Sequence, residues 1–321
     1  MTTHDRRFEN GAVVISIDTE QIWGHFDIIS EGAFSRRYPH APAVNDRLLE
    51  RLCAVGISAT WDVVGGLSLD GADGPDDHRM TGLPKAWISR VPAGNEVTEP
   101  LWYRRRFVTA IRDAIPTQEI ALHGGLTHMI WRPGEHPPES LLLELMSGVK
   151  ALKEIGVQPR SFVFPRDLEG HHELLVKAGI QCYRGRAAIA SERLGYNLAG
   201  SVARALEEVT SLTPPPVWPE EVLPGLWNLP ASLSIYCMGR ARSRWIPMHL
   251  RLDRVRLGVE RAIRRKGVFH LAMHPENLAE SPEAFDTFES ILVYLCRMRS
   301  EGVEILTMMQ ALERVQVCAE R

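Results

Sequence analysis

The 321-residue sequence lacks any run of about 18 apolar residues, the length that a helix needs to cross a bilayer. Its first residues, MTTHDRRFENGAVV, carry charges and contain no apolar segment of the length found in signal peptides. We therefore expect a cytoplasmic protein that does not insert into a membrane.

Cysteine motifs and a strong charge excess are also missing. The five cysteines are scattered and none lies in a CxxC pair, so neither a disulfide framework nor a cysteine-ligated zinc site is expected. The 37 basic and 40 acidic residues give a net charge of -3. This balance provides no electrostatic basis for binding nucleic acid or an anionic membrane, and we expect neither as a partner.

The sequence does contain a regular alternation of apolar, β-branched runs with amphipathic helical segments. The runs that predict strands lie at about residues 12–17, 57–65, 118–123, 161–167, 180–186, 226–233, 267–275 and 303–308. Strands that alternate with helices form parallel sheets, and chains of this length often fold as one α/β barrel. We predict a distorted (β/α) barrel of seven to eight parallel strands in a single domain over residues 1–321. A long insert loop is predicted at about 65–99.

Ionisable side chains follow the C-terminal ends of these predicted strands, where α/β barrels carry their active sites. They are Asp18, Glu20, His123, His128, Arg166 and His274. The first two are acids two residues apart on one strand, so they share a face, and unpaired acids at a buried position require a cation. The pair of histidines is five residues apart and can share a ligand only from a loop, to which Gly124 and Gly125 give backbone freedom.

Two imidazoles and one carboxylate are the ligand set of a catalytic zinc-type site with open positions for water and substrate. A metal held in this way lowers the pKa of water and polarises a substrate carbonyl. A second carboxylate beside the metal would act as the general base, and a histidine on the other side as the acid. Zn²⁺ is the first expectation, and the ligand set also admits Co²⁺, Ni²⁺ and Mn²⁺.

The order of these segments resembles the polysaccharide deacetylase family, the NodB-homology or carbohydrate esterase 4 type. SIDTE at 16–20 resembles its first motif, and EIALHGGLTH at 119–128 the motif that carries two metal histidines. SFVFPRD at 161–167 resembles its Arg-Pro motif, and FHLAMHP at 269–275 the motif with the catalytic histidine. The resemblance covers roughly residues 12–310. Three features differ from the family pattern. The second acid is Glu20 rather than Asp, and the histidines are five residues apart rather than four. Arg166 is followed by Asp167 and Leu168, where relatives commonly have Asn or Gln.

The resemblance implies a role for each residue of the group. Asp18 would be the base, Arg166 would orient it, and His274 would protonate the amine leaving group. A backbone N–H after Phe164 would help the metal to hold the oxyanion. The metal ligands would be Glu20, His123 and His128.

The resemblance also guides the search for substrate contacts. Trp23 and Trp227 are candidates for stacking on a sugar ring, with a core position as the alternative for each. His78 lies in the insert at 65–99, the expected specificity loop, and is a third candidate.

The implied function is a metal-dependent hydrolase that removes an acetyl or formyl group from the nitrogen of a sugar, glycoside or sugar-containing precursor. One alternative keeps the fold and acts as a metal-free C–N hydrolase on a cyclic amide. Another is a non-catalytic protein that binds carbohydrate. Metal content separates the first hypothesis from the other two, and product release separates the second from the third.

Overall fold

The computed structural model describes residues 8–187, 189, 191, 194, 198–210, 212, 215–235, 247–279 and 282–319. The strands are β1 (Ala12–Thr19), β2 (Thr60–Val63), β3 (Gly71–Asp73), β4 (Ala93–Asn95), β5 (Glu119–His123), β6 (Ser161–Val163), β7 (Cys182–Arg184), β8 (Glu220–Leu223), β9 (Leu226–Asn228), β10 (Leu233–Ile235), β11 (Val268–Met273) and β12 (Glu304–Leu306). The helices are α1 (Glu31–Arg37), α2 (Ala41–Ala54), α3 (Lys85–Ile88), α4 (Arg105–Asp113), α5 (Pro138–Glu154), α6 (His172–Lys177), α7 (Leu198–Val209), α8 (Met248–Arg265), α9 (Pro282–Ser300) and α10 (Met308–Ala319). Within these residues, no helix combines the length and the apolar character needed to span a membrane.

The main sheet is parallel except at one edge, and its strand order is β10-β11-β1-β2-β5-β6-β7-β9-β8. Among the strands of this sheet that the structure describes, β8 alone runs antiparallel, against β9. The long strand β1 has two partners on one side, because β12 pairs with its first half and β2 with its second half. The predicted α/β fold with parallel strands is confirmed.

The predicted strand at 226–233 is divided between the two ends of the sheet. Its first part is β9, and the N–H groups of Leu229 and Ala231 continue the ladder by donating to carbonyl groups of the β7 segment, at 2.9 Å. Pro230 occupies the intervening position, whose N–H would not be needed in this ladder. The N–H of Ser232 then donates to the carbonyl of His270 in β11 at 2.8 Å, and β10 follows. This segment therefore links both ends of the sheet and curls it towards a barrel.

The two faces of the strands differ in chemistry. Because successive residues of a strand point to opposite faces, Val13, Ile15 and Ile17 of β1 pack outward into the main apolar core. The alternate positions point into the barrel and include a set of buried polar residues: Ser16, Asp18, Thr60, Asp62, His123, Ser161, Arg184 and His270. The barrel interior is thus polar towards the C-terminal ends of the strands.

The N-terminal end of the barrel is closed by a separate apolar cluster. Met308, Leu312 and Val315 of α10 pack there with Val14 of β1 and Cys182 of β7. With this apolar plug at the N-terminal end, the polar side chains meet at the C-terminal end of the barrel.

The segment at 65–99, predicted as an insert loop, contains regular structure. Its β3 and β4 form a two-stranded antiparallel sheet, and α3 follows the turns between them. The Trp87 indole N–H donates to the hydroxyl of Thr127 at 2.9 Å, and the Arg90 guanidinium donates to the carbonyl of Phe26 at 2.7 Å. The insert is therefore attached to the loops that follow β1 and β5.

Replacing Leu271, which is fully buried on the outer face of β11, is expected to destabilise the fold. Leu271→Ala removes buried methyl groups and leaves a cavity, so the free energy of unfolding should fall by about 2–5 kcal/mol. Val293→Ala on α9 is the control, since this side chain is 68% exposed and its loss should change stability by less than about 0.5 kcal/mol. Urea denaturation measures both, and equal effects would contradict the core position of Leu271.

Candidate active site

A cavity of about 260 Å³ lies at the C-terminal ends of the strands. Loops after β1, β5, β6 and β11 contribute its walls, together with the end of α1. The residues that line it are Asp18, Glu20, Gly24, His25, Ile28, Arg37, Tyr38, His128, Arg166, Asp167, His274, Glu276 and Asn277.

Three buried side chains of the predicted ligand set converge in this region. Glu20 Oε2 lies 3.1 Å from His123 Nε2 and 3.0 Å from His128 Nε2. The two histidine Nε2 atoms are 3.1 Å apart. Ligands that bind one tetrahedral ion at about 2.0–2.1 Å lie about 3.3 Å from one another, so this arrangement is close to that of a metal site.

The hydrogen bonding of His123 supports the same interpretation. Its Nδ1 is 3.1 Å from the carbonyl oxygen of Val163, which can only accept, so this nitrogen carries the proton. A neutral ring then directs the lone pair of Nε2 at the carboxylate of Glu20, and two acceptors at this distance need a proton or a cation between them. The three ligand atoms, Glu20 Oε2 and the Nε2 atoms of His123 and His128, therefore fit a divalent metal ion.

The pKa values indicate that a proton takes this position when a metal does not. Burial lowers the pKa of His123, but the hydrogen bond to Glu20 and the charges of Glu20 and Asp18 raise it to about 9. Burial lowers the pKa of His128 to about 4, despite the opposing effect of Glu20. Burial would raise the pKa of Glu20, yet the two histidines hold it well below its usual range. Metal binding would displace the shared proton.

Local backbone structure explains how Glu20 and the five-residue histidine spacing are accommodated. The carboxylate of Glu20 folds back over Gly24, where an added Cβ would lie 2.1 Å from Glu20 Cδ. Gly124 has a φ of +76°, which lets the chain turn immediately after β5 and bring His128 back to His123.

Asp18 is held by an arginine from across the barrel. The Arg184 guanidinium donates from NH1 to Oδ1 at 2.5 Å and from NH2 to Oδ2 at 2.8 Å. Burial would raise the pKa of Asp18, but the charge of Arg184 outweighs it and holds this pKa well below the usual range. His274 Nε2 lies 3.3 Å from Asp18 Oδ2 and 3.7 Å from Glu20 Oε1, so it faces both carboxylates.

The predicted contact between Arg166 and Asp18 is wrong. Arg166 donates instead to both carboxylate oxygens of Asp27, at 2.6 and 2.7 Å. The reason is positional: β6 ends at Val163, and Arg166 lies in the turn beyond it with a φ of +57°, whereas Arg184 is in β7 and points into the barrel. The signal in the sequence was an arginine inside the apolar strand IQCYRGR.

Arg184 also contacts two other carboxyl groups, those of Asp62 and Asp167. Its NH1 is 3.1 Å from Asp62 Oδ2, and its NH2 is 3.4 Å from Asp167 Oδ1. Burial raises the pKa of Asp62 well above its usual range, and the charge of Asp18 adds to this effect while Arg184 opposes it. Burial and the contacts with Arg184 therefore move the pKa values of Asp18 and Asp62 in opposite directions.

The three predicted substrate residues do not line the cavity. Trp23 is fully buried and donates its indole N–H to the carbonyl of Trp102 at 2.8 Å, which is the core alternative. Trp227 on β9 is half-buried and packs on the apolar plug at the other end of the barrel. The side chain of His78 is 79% exposed, 3.6 Å from Asp77.

The cavity-lining residues that sequence reasoning missed include His25 and Glu276. His25 Nε2 is 3.6 Å from Glu20 Oε1, and burial lowers the pKa of this histidine. The sequence signal for His25 was its position shortly after Glu20, in a turn that brings the side chain back to the end of β1. Glu276 follows His274 by two residues in the turn after β11.

Solved structures share this fold. A provisionally named polysaccharide deacetylase from Mycobacterium smegmatis aligns with a TM-score of 0.63 at 18% identity, over 97% of this chain and 91% of that chain. A GH57-type branching enzyme from Pyrococcus horikoshii gives 0.54 at 11% identity, over 95% and 70%. A 4-alpha-glucanotransferase from Thermococcus litoralis gives 0.52 at 13% identity, over 95% and 40%. The predicted resemblance is confirmed at the level of the fold, which enzymes of different activity share.

No protein-family profile matches the sequence, and no curated protein matches it.

Gly24→Ala should weaken metal binding by about 10- to 100-fold, because the new methyl group would displace the carboxylate of Glu20. The control is Gly32→Ala in α1, where the added Cβ would meet only the end of Arg36 at 3.5 Å. Competition with a chromophoric chelator measures the affinity for Zn²⁺. An unchanged affinity in Gly24→Ala would contradict the placement of Glu20 among the ligands.

Proposed function

We propose that this chain is a metal-dependent hydrolase that removes an acetyl or formyl group from the nitrogen of a sugar or a sugar-containing precursor. The observation that carries the proposal is the Glu20, His123 and His128 group in contact with a second carboxylate–histidine pair, Asp18 and His274, at one cavity. The shared fold with a protein named as a polysaccharide deacetylase supports it.

Glu20 Oε2 and the Nε2 atoms of His123 and His128 would hold the metal. Zn²⁺ is our first choice, and Co²⁺, Ni²⁺ and Mn²⁺ suit the same ligands. When bound there, the ion supplies a Lewis acid that polarises the substrate carbonyl and makes water more acidic.

Asp18 is the proposed general base. Its two bonds from Arg184 fix the plane of the carboxylate and keep it ionised, so that it can take a proton from the attacking water. The water oxygen forms a bond to the acyl carbon as this proton moves to Asp18. Pro165 has no N–H, so the backbone donor proposed for the oxyanion after Phe164 is the N–H of Arg166.

His274 is the proposed general acid. Burial lowers its pKa, but the charges of Asp18, Glu20 and Glu276 raise it above the ordinary value, which favours the protonated ring that a general acid needs. The imidazolium gives its proton to the nitrogen as the C–N bond breaks. The products are then a carboxylic acid and an amine on the sugar.

Removal of metal should abolish hydrolysis. Protein treated with a chelator and dialysed should lose at least about 100-fold in amine release from N-acetyl and N-formyl amino sugars, and Zn²⁺ or Co²⁺ should restore it. A fluorescent reagent for primary amines measures the product. Hydrolysis that persists without metal would favour the metal-free C–N hydrolase, and a metal-loaded protein that releases no amine from any of these sugars would contradict the proposal.

Asp18→Asn should lower kcat by at least about 100-fold while the metal content stays unchanged, because the amide cannot accept the proton from water. Asp62→Asn is a matched control, since Asp62 contacts the same guanidinium but does not line the cavity. We expect it to keep kcat within a few-fold of the wild type. Steady-state kinetics on metal-loaded protein measures both, and full turnover in Asp18→Asn would refute its role as base.

A further inference from the structure

Glu276 is a buried carboxyl group in the wall of the cavity. It lies in the turn after β11, two residues beyond His274, and only 2% of the residue is exposed. Within the described part of the chain, neither of its carboxylate oxygens has a hydrogen-bond partner from another residue. Leaving a buried polar group without a hydrogen-bond partner is unfavourable, and more so for a charged group.

Other polar groups of the cavity are already engaged. Arg166 is bound to Asp27, and the Arg37 guanidinium lies over the ring of Tyr38, 5.0 Å from its centroid. The amide of Asn277, next to Glu276, donates to the carbonyl of Ile235 at 3.0 Å. Glu276 is thus a cavity-lining residue whose buried carboxyl group has no hydrogen-bond partner from another described residue. A ligand in the cavity could supply the missing donor.

The proposed mechanism indicates which donor this is, and the present inference rests on it. His274 protonates the nitrogen of the leaving amine, so the carbon that bears this nitrogen lies next to His274. In an amino sugar, the adjacent ring carbon carries a hydroxyl group, and Glu276 follows His274 in the same turn. A carboxyl group can accept the hydrogen bond of such a hydroxyl.

We propose that Glu276 is a specificity-determining residue that binds the hydroxyl group on the ring carbon adjacent to the N-acyl amine. This contact selects amino sugars over amides that lack the hydroxyl. A site built to bind a hydroxyl discriminates strongly against the analogue without it, because its own polar group is then left unpaired.

Calorimetric binding tests this without depending on turnover when every titrated protein also carries Asp18→Asn, which is expected to slow hydrolysis and keep the metal; the wild type in this comparison is wild type at residue 276. Amine release is measured separately on protein without this substitution. The metal-loaded protein is titrated with methyl glycosides of N-acetylglucosamine, N-acetylgalactosamine and N-acetylmannosamine, in which the hydroxyl on carbon 3 is the only one adjacent to the amine-bearing carbon. The best binder is compared with its 3-deoxy counterpart. We expect the wild type to prefer the parent sugar by at least about 10-fold, and Glu276→Ala to bind both with the same reduced affinity.

Matched variants separate recognition from folding. Glu276→Gln retains a carbonyl acceptor and should recover part of the preference, and Glu139→Gln, an exposed acid on α5, should behave as the wild type. Because the substitutions remove an unpaired buried carboxyl group, Glu276→Ala and Glu276→Gln should melt at or above the wild-type temperature.

Equal wild-type affinity for the parent and 3-deoxy sugars, no binding of any of the three glycosides, or a preference that survives in Glu276→Ala would each overturn the inference. Binding that depends on Glu276 without amine release would support the inference while the proposed hydrolase activity failed. Amine release with an unchanged preference in Glu276→Ala would overturn the inference alone.

Discussion

Three acceptor atoms lie close together at the C-terminal ends of the barrel strands, and the rest of the site is arranged around them. Glu20 Oε2 and the Nε2 atoms of His123 and His128 lie within 3.1 Å of one another in a buried position. Such a group is unfavourable unless a cation or a proton lies between its members. Gly24 and Gly124 provide the backbone geometry that makes the approach possible.

The charge balance inside the barrel also depends on the guanidinium group of Arg184. Arg184 contacts Asp18, Asp62 and Asp167. Against the effect of burial, its charge holds the pKa of Asp18 well below the usual range, whereas burial raises the pKa of Asp62 well above it. The pKa of Asp18, the proposed base, is thus held low by a residue that does not line the cavity. Glu276 differs from all of these carboxyl groups, because neither of its oxygens has a hydrogen-bond partner from another described residue.

Local patterns were sufficient to predict much of the fold and of the ligand group. The alternation of apolar runs with helical segments predicted the parallel α/β fold, and acids and histidines at strand ends predicted Asp18, Glu20, His123, His128 and His274. Contacts between residues on different sides of the barrel could not be predicted from these local patterns. Arg184 contacts Asp18 in place of Arg166, because Arg166 lies in the turn beyond the end of β6. The burial of Trp23 depends on its packing with Trp102. The division of residues 226–233 depends on how the sheet curls.

The central claim is that Glu20, His123 and His128 hold one divalent metal ion, and metal content tests it most directly. Plasma mass spectrometry should find about one equivalent of metal in the wild type and almost none in a His123→Ala, His128→Ala double variant. A wild type that is empty and stays empty after incubation with Zn²⁺, Co²⁺ or Ni²⁺ would contradict the claim.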